Sequence, residues 1–223
     1  MTIGRLEGWN VGMIALIPTV QLSKLPAQDP WPILDRASQS YQTIRTLAAE
    51  FTQVVANPLI GGADTTHGKL YQMRPGRFAM RFTSPRGDRI VADGRHLWLY
   101  TPSTTPGQVI RAAIPETGTT GPNLIGQFVE RPRERYRARY LRADSLPDGL
   151  ADVVALVPRE ADLPYEQAVL WIDRDDGLVR RLEIVETSGQ RRTVALTRLV
   201  VNRGVPSREF TFAPPAGLRV VDQ

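Results

Sequence analysis

The chain has 223 residues, 42% hydrophobic and 23% charged, and its 28 Lys+Arg against 23 Asp+Glu leave a net charge of +5, an ordinary globular balance. The absence of cysteine excludes disulfides, thiolate metal sites, cysteine nucleophiles and acylation of the chain on an N-terminal cysteine. With His67 and His96 as the only histidines, zinc-hydrolase and histidine-relay constellations are hard to assemble, and the inventory leans towards binding.

The first segment carries Arg5, then an apolar stretch from Val11 to Val20, then a polar run ending Pro26-Ala27-Gln28. The stretch is too short for a helix crossing a bilayer, which needs about 20 residues. It reads as a secretory leader covering 1–27 and cut after Ala27, with an apolar N-terminal arm as the alternative. Export leaves a single domain over 28–223.

Asp29-Pro30 marks a helix start, with Asp29 as N-cap and Pro30 in the first turn. Leu34, Ala37, Tyr41, Ile44 and Ala48 follow at spacings of three and four, which predicts an amphipathic helix from Pro30 to Leu47. β-Branched residues then cluster, and a strand is expected from near Ala49.

From there short runs with period-two features dominate. They are Lys69–Met73, Phe78–Phe82, Arg89–Ala92, His96–Tyr100, Gln108–Ile110, Glu134–Arg142, Asp152–Val157, Ala168–Asp173, Val179–Glu186 and Arg192–Val201. Turn signals such as Asp93-Gly94 and Asp176-Gly177 separate them. About ten strands without intervening helices describe an antiparallel meander or barrel. Between them, Pro122 opens a short helix carrying Leu124, Ile125, Phe128 and Val129. Phe78, Met80 and Phe82 share one strand face, with Ala79 and Arg81 on the other. That inward set lines either a packed core or an apolar cavity.

No Gly-x-Ser-x-Gly elbow, phosphate-binding glycine loop or His-Glu-x-x-His occurs. Asp64-Thr-Thr-His67 reads as a polar loop, and Asp173, Asp175 and Asp176 lack calcium-loop spacing and read as a hairpin turn. Arg86-Gly87-Asp88 matches an adhesion tripeptide but follows a proline, as turn residues do. The arginines from Arg131 to Arg142 alternate with Tyr136 and Tyr140, as a phosphate-tracking strand would. The same alternation places Arg135, Arg137 and Arg139 on a solvated face and Tyr136, Ala138 and Tyr140 on a packed one, which needs no nucleic acid.

Five segments in order resemble the LolA family, the periplasmic lipoprotein carriers of Gram-negative bacteria. They are Leu47-Ala-Ala-Glu-Phe51-Thr-Gln53, Gly68 to Phe78 with its Arg74-Pro75, Ile90 to Pro102 with its Asp93-Gly94 hairpin, Trp171 to Arg180, and Glu209 to Gly217. The resemblance runs from Leu34 to Val221. It implies a mainly β, single-domain incomplete antiparallel barrel around an apolar cavity, with an N-terminal helix and a short helical lid. It further implies a monomeric periplasmic chaperone, without enzyme activity, cofactor, metal, nucleic-acid partner or stable membrane insertion. Its partners would be acylated lipoproteins, an ATP-driven inner-membrane release complex and an outer-membrane acceptor.

By motif, Arg74 takes the place of the arginine that latches the lid by hydrogen bonds to lid backbone, and Phe78 that of a cavity aromatic. Met80, Phe82, Trp98 and Tyr100 join the expected acyl-chain cavity, and Leu124, Ile125 and Phe128 the lid. Lacking cysteine, the chain resembles the carrier rather than the acylated acceptor. Rival readings are a related lipid-binding or envelope-stress sensor domain on the same sheet, an esterase, and a nucleic-acid binder.

Overall fold

The computed structural model describes residues 28–58, 61–114 and 124–223. The expected leader and Pro122 lie outside the described residues. Helix α1 (Trp31–Thr43) leads into β1 (Thr46–Ala56), β2 (Ala63–Met73), β3 (Arg77–Ser84), β4 (Arg86–Asp93), β5 (His96–Tyr100) and β6 (Gln108–Ala113). Two single-turn helices, α2 (Gly126–Val129) and α3 (Pro132–Arg135), follow. The second run of strands is β7 (Tyr136–Leu146), β8 (Gly149–Pro158), β9 (Tyr165–Asp173), β10 (Val179–Glu186) and β11 (Arg191–Val201). A 3-10 turn (Ser207–Phe210) and β12 (Arg219–Asp222) close the chain.

The strands among the described residues form one 12-stranded sheet in the order β12-β6-β5-β4-β3-β2-β1-β11-β10-β9-β8-β7. Two meanders, β1–β6 and β7–β11, are thus joined where β1 pairs with β11. The sheet is open, with β12 and β7 as its edges. Pairing is antiparallel except that β12 lies parallel to β6, its Val220 opposite Val109. β12 was not expected from the sequence, because four residues carry little periodicity.

Helix α1 ends four residues before the expected Leu47. The backbone turns extended at Ile44, where Asn202 accepts the Arg45 N–H at 2.8 Å and donates to the Thr43 carbonyl at 3.2 Å. A side chain from the far end of β11 therefore caps the helix and starts the strand, overriding the helix-favouring Leu-Ala-Ala that follows. At the other end Asp29 accepts the Trp31 N–H at 3.1 Å, as a capping carboxylate does.

One sheet face carries the principal apolar cluster, and α1 lies on it through Ile33, Leu34, Ala37 and Tyr41. Buried and half-buried positions alternate along β1, with Leu47, Ala49 and Phe51 turned to this inner face. Opposite Phe51 stands Gly68, where a Cβ would come within 2.2 Å of the Arg81 carbonyl oxygen and 2.7 Å of the Phe51 ring. The missing side chain lets Phe51 lie across the neighbouring strand and meet Phe82 edge-on, with centroids 5.2 Å apart. Helix α1 is pinned to the β9–β10 turn by Ser40, whose hydroxyl donates to the Asp176 carbonyl at 2.7 Å.

The outer face is covered over β2–β5 by the C-terminal segment. Phe210 is buried against Ala79 and Val91, so the face carrying Ala79 is packed as well.

Candidate functional site

The inner face is assembled from one residue per strand in register. Met80 stands between Leu70 and Ile90, and Phe78 beside Ala92. Across the other meander Leu182, Leu170, Val154 and Tyr140 form a second row on this face. All except Ile90 and Tyr140 are buried, and those two pack on the same cluster. Phe78, Met80 and Phe82 therefore sit together, as their shared parity requires.

Trp98 and Tyr100 do not join them. Val91 pairs with both Ala79 and Trp98, and Arg89 with both Arg81 and Tyr100, so these aromatics point to the outer face. There each packs on Phe212, at 5.7 Å between centroids. Leu97, not Trp98, turns inward. His96 to Tyr100 is apolar on both sides, so alternation alone does not say which set faces the inner cluster. The indole N–H of Trp98 donates to Asp93 at 2.9 Å. Burial opposes ionisation of Asp93, but the N–H groups of His96, Trp98 and Arg95 together hold its carboxyl below the usual carboxylate range.

The segment that carries the expected lid residues is described from Leu124 and runs through α2 and α3 to Arg135. Ile125, Phe128 and Val129 are buried in the inner cluster and Leu124 packs against it, bringing the three expected lid residues together with Phe78 and Met80. Phe128, fully buried, meets the Tyr165 ring at 5.6 Å and the Tyr136 ring at 6.1 Å. The two tyrosine hydroxyls are 2.9 Å apart, and Tyr136 donates to the Gln127 carbonyl at 3.1 Å. Burial, then the Tyr165 hydroxyl, pushes the Tyr136 phenol well above its ordinary pKa, so it stays a neutral donor.

Two ion pairs fasten this segment. Arg74, at the β2–β3 turn, reaches the Glu130 carboxylate just after α2 at 2.9 Å. Among the described residues its guanidinium is thus held by a lid side chain, where hydrogen bonds to lid backbone were expected. Arg133 of α3 binds both carboxylate oxygens of Asp35 on α1, at 2.5 and 3.2 Å. Its guanidinium also lies 4.7 Å from the centre of the Trp31 ring. Glu130, Asp35 and Trp31 were not singled out from the sequence. Only tertiary proximity distinguishes them from other exposed charges and aromatics.

The strand reading of 131–142 needs amendment, because Arg131 adopts left-handed φ/ψ and Arg133 lies in α3. The solvated–packed alternation holds from Tyr136 to Tyr140. Asp173 caps its hairpin turn by accepting the N–H groups of Asp175 and Asp176. Asp88 is buried with both oxygens on Ser103, so the Arg-Gly-Asp tripeptide presents no free carboxylate. His67 meets Thr52 at 3.1 Å. No cluster of metal-ligating side chains is found among the described residues, and no helix among them is long and apolar enough to cross a membrane.

The arrangement is an apolar sheet face covered by the short apolar segment 124–129. Burying each large lid side chain contributes roughly 1.5–3 kcal/mol, whereas a half-exposed ion pair contributes about 0.2–1 kcal/mol. Apolar burial therefore contributes more than the ion pairs to holding this segment on the sheet.

A family model described as outer membrane lipoprotein carrier protein LolA matches residues 42–213. An outer-membrane lipoprotein carrier protein of Albidiferax ferrireducens is 30% identical over 189 residues, covering 82% of this chain and 87% of its own. Among solved structures, an uncharacterized conserved protein of Thermus thermophilus superposes with a TM-score of 0.55 at 14% identity, over 88% of this chain and all of the other. The MucA/MucB complex structure of Pseudomonas aeruginosa contains a chain matched with a TM-score of 0.51 at 15% identity, over 87% of this chain and 64% of that one. The two superpositions concern the fold alone.

Proposed function

The chain belongs to the LolA family of outer membrane lipoprotein carrier proteins, and from that premise we propose that it binds lipoprotein acyl chains against the inner face of its sheet and carries them through the periplasm. The observation that supports this most is the single apolar cluster running across both meanders and closed by the buried lid residues Ile125, Phe128 and Val129. Acyl chains that displace those side chains gain about 0.8 kcal/mol per buried methylene, so a dozen methylenes represent roughly 10 kcal/mol. The lid returns part of that energy when it closes again, which keeps the carrier from holding its cargo too tightly. Release is then a shift between open and closed populations and needs no chemistry. The reading requires no nucleophile, general base or metal, and the protein acts as a carrier, not an enzyme.

In this scheme Arg74, through Glu130, biases the empty protein towards the closed lid. Phe78, Met80 and Phe82 form the floor that the chains meet. Cargo arrives from an ATP-driven release complex at the inner membrane and leaves to an acceptor at the outer membrane, both recognised with the lid open.

Mass spectrometry of the protein purified gently from a periplasmic extract, after expression with its own first 27 residues, tests the proposal. The expected result is an N-terminus near Gln28 and co-purifying triacylated lipoprotein. A retained Met1 with no lipid would sink it. Free lipid without lipoprotein would instead favour a related lipid-binding domain.

A further inference from the structure

The outer face carries an arrangement that folding alone disfavours. Lys69 of β2, Arg81 of β3 and Arg89 of β4 stand directly opposite one another in register. Three cations thus form one row across three strands, each about 5 Å from the next. Like charges directly opposite in a sheet destabilise it. The central one is paired: Arg81 meets the buried Glu209 at 2.8 Å. Among the described residues Lys69 and Arg89 have no ion pair, and both are exposed.

The row lines a groove of about 360 Å³, with Tyr71 and Arg86 in its wall. Its other carboxylate, Asp88, is occupied by the Ser103 N–H at 3.1 Å and hydroxyl at 2.5 Å. Glu50 stands opposite Lys69 on β1 but is engaged by Arg198 at 2.7 Å, so the cations of the groove outnumber the carboxylates left free to answer them.

We propose that this groove is a binding site for a phosphate ester, of the kind carried by an anionic glycerophospholipid headgroup or a free sugar or glycerol phosphate. A phosphate presents several oxygens to several donors at once. Glu209 fixes the Arg81 guanidinium at the centre of the row, leaving Lys69 and Arg89 to close on the ligand from either side. The recess is of the size that takes a small polar group. Repulsion in the empty row is relieved when the anion binds, which accounts for keeping three cations where a neutral residue would stabilise the sheet. The row lies on the face opposite the lid; Phe82 also lines the groove, but substitution of Lys69 and Arg89 leaves that ring in place, so the site is tested separately from acyl-chain binding.

The test uses the full chain with glycerol 3-phosphate by calorimetry, and with vesicles of phosphatidylcholine with and without phosphatidylglycerol by sedimentation. Lys69→Gln combined with Arg89→Gln is compared with Arg137→Gln combined with Arg139→Gln, which removes the same charge from the exposed side of β7. Binding to either phosphate probe is expected to fall at least tenfold in the first variant, given roughly fivefold per basic residue, and to change little in the second. Melting temperature should stay level or rise in the first variant, because repulsion is removed. Vesicle binding competed by glycerol 3-phosphate identifies a headgroup site, and binding of glycerol 3-phosphate alone a site for free phosphate esters. Equal losses in both variants would reduce the effect to diffuse attraction and overturn the proposal. So would failure to bind either probe, or binding of an acidic peptide with no response to phosphate.

Discussion

Removing Arg74 isolates the polar fastening of the lid from its apolar packing. The Arg74–Glu130 pair spans 2.9 Å, with side chains 35% and 27% exposed, so solvent screens it and its contribution is roughly 0.5–1 kcal/mol. That shifts the open population by about two- to fivefold and leaves the fold intact. Hydrogen exchange across residues 124–135 is the direct assay, run on Arg74→Leu, Glu130→Gln and the double variant. Each single change should speed lid exchange by that factor, and the double variant should exchange no faster than the singles, because the pair can be broken only once. Raising the salt concentration should narrow the difference from the unaltered protein. Loaded with lipoprotein, Arg74→Leu should still accept cargo but pass it on more slowly, since lid closure no longer competes as strongly for the inner face. Unchanged exchange in both single variants, or full additivity in the double, would refute the latch. Unimpaired transfer by Arg74→Leu would refute its role in release.

Phe128→Ala removes a wholly buried ring from between Tyr136 and Tyr165. A loss of roughly 3–5 kcal/mol of lid docking is expected, read as a rise in exchange over 124–135 far larger than that of Arg74→Leu. The opposite ordering would mean that charge, not burial, closes the lid. Asp93 is held below its ordinary value of 3.8, so the stability it contributes is present above about pH 4 and disappears as pH falls through the depressed value. Asp93→Asn should therefore lower the melting temperature at pH 7, with the gap closing as pH falls through the depressed value. A gap independent of pH would assign the loss to the turn geometry.

Much of the strand framework was legible in the sequence, because a sheet buried on one side imprints a period of two and its turns demand particular residues. Asp93-Gly94 illustrates this: Gly94 takes φ +99, and Asp93 accepts the N–H groups of Arg95 and His96. Phe78, Met80 and Phe82 could be grouped for the same reason. Trp98 and Tyr100 could not be assigned, since both sides of β5 are apolar and the covering Phe212 is distant in sequence. The end of α1 is not legible locally, because its cap, Asn202, follows β11, far along the chain.

Local periodicity thus determined which segments are strands and where most of them turn. Those properties depend on neighbours a few residues apart. Tertiary structure alone decided which face of β5 turns inward, that β1 closes the sheet against β11, and that Glu130 and Asp35 are the carboxylates paired with Arg74 and Arg133. It also aligned Lys69, Arg81 and Arg89 in one row. Each of these is a matter of register between segments separated along the chain, and register is set by the packing of the whole sheet.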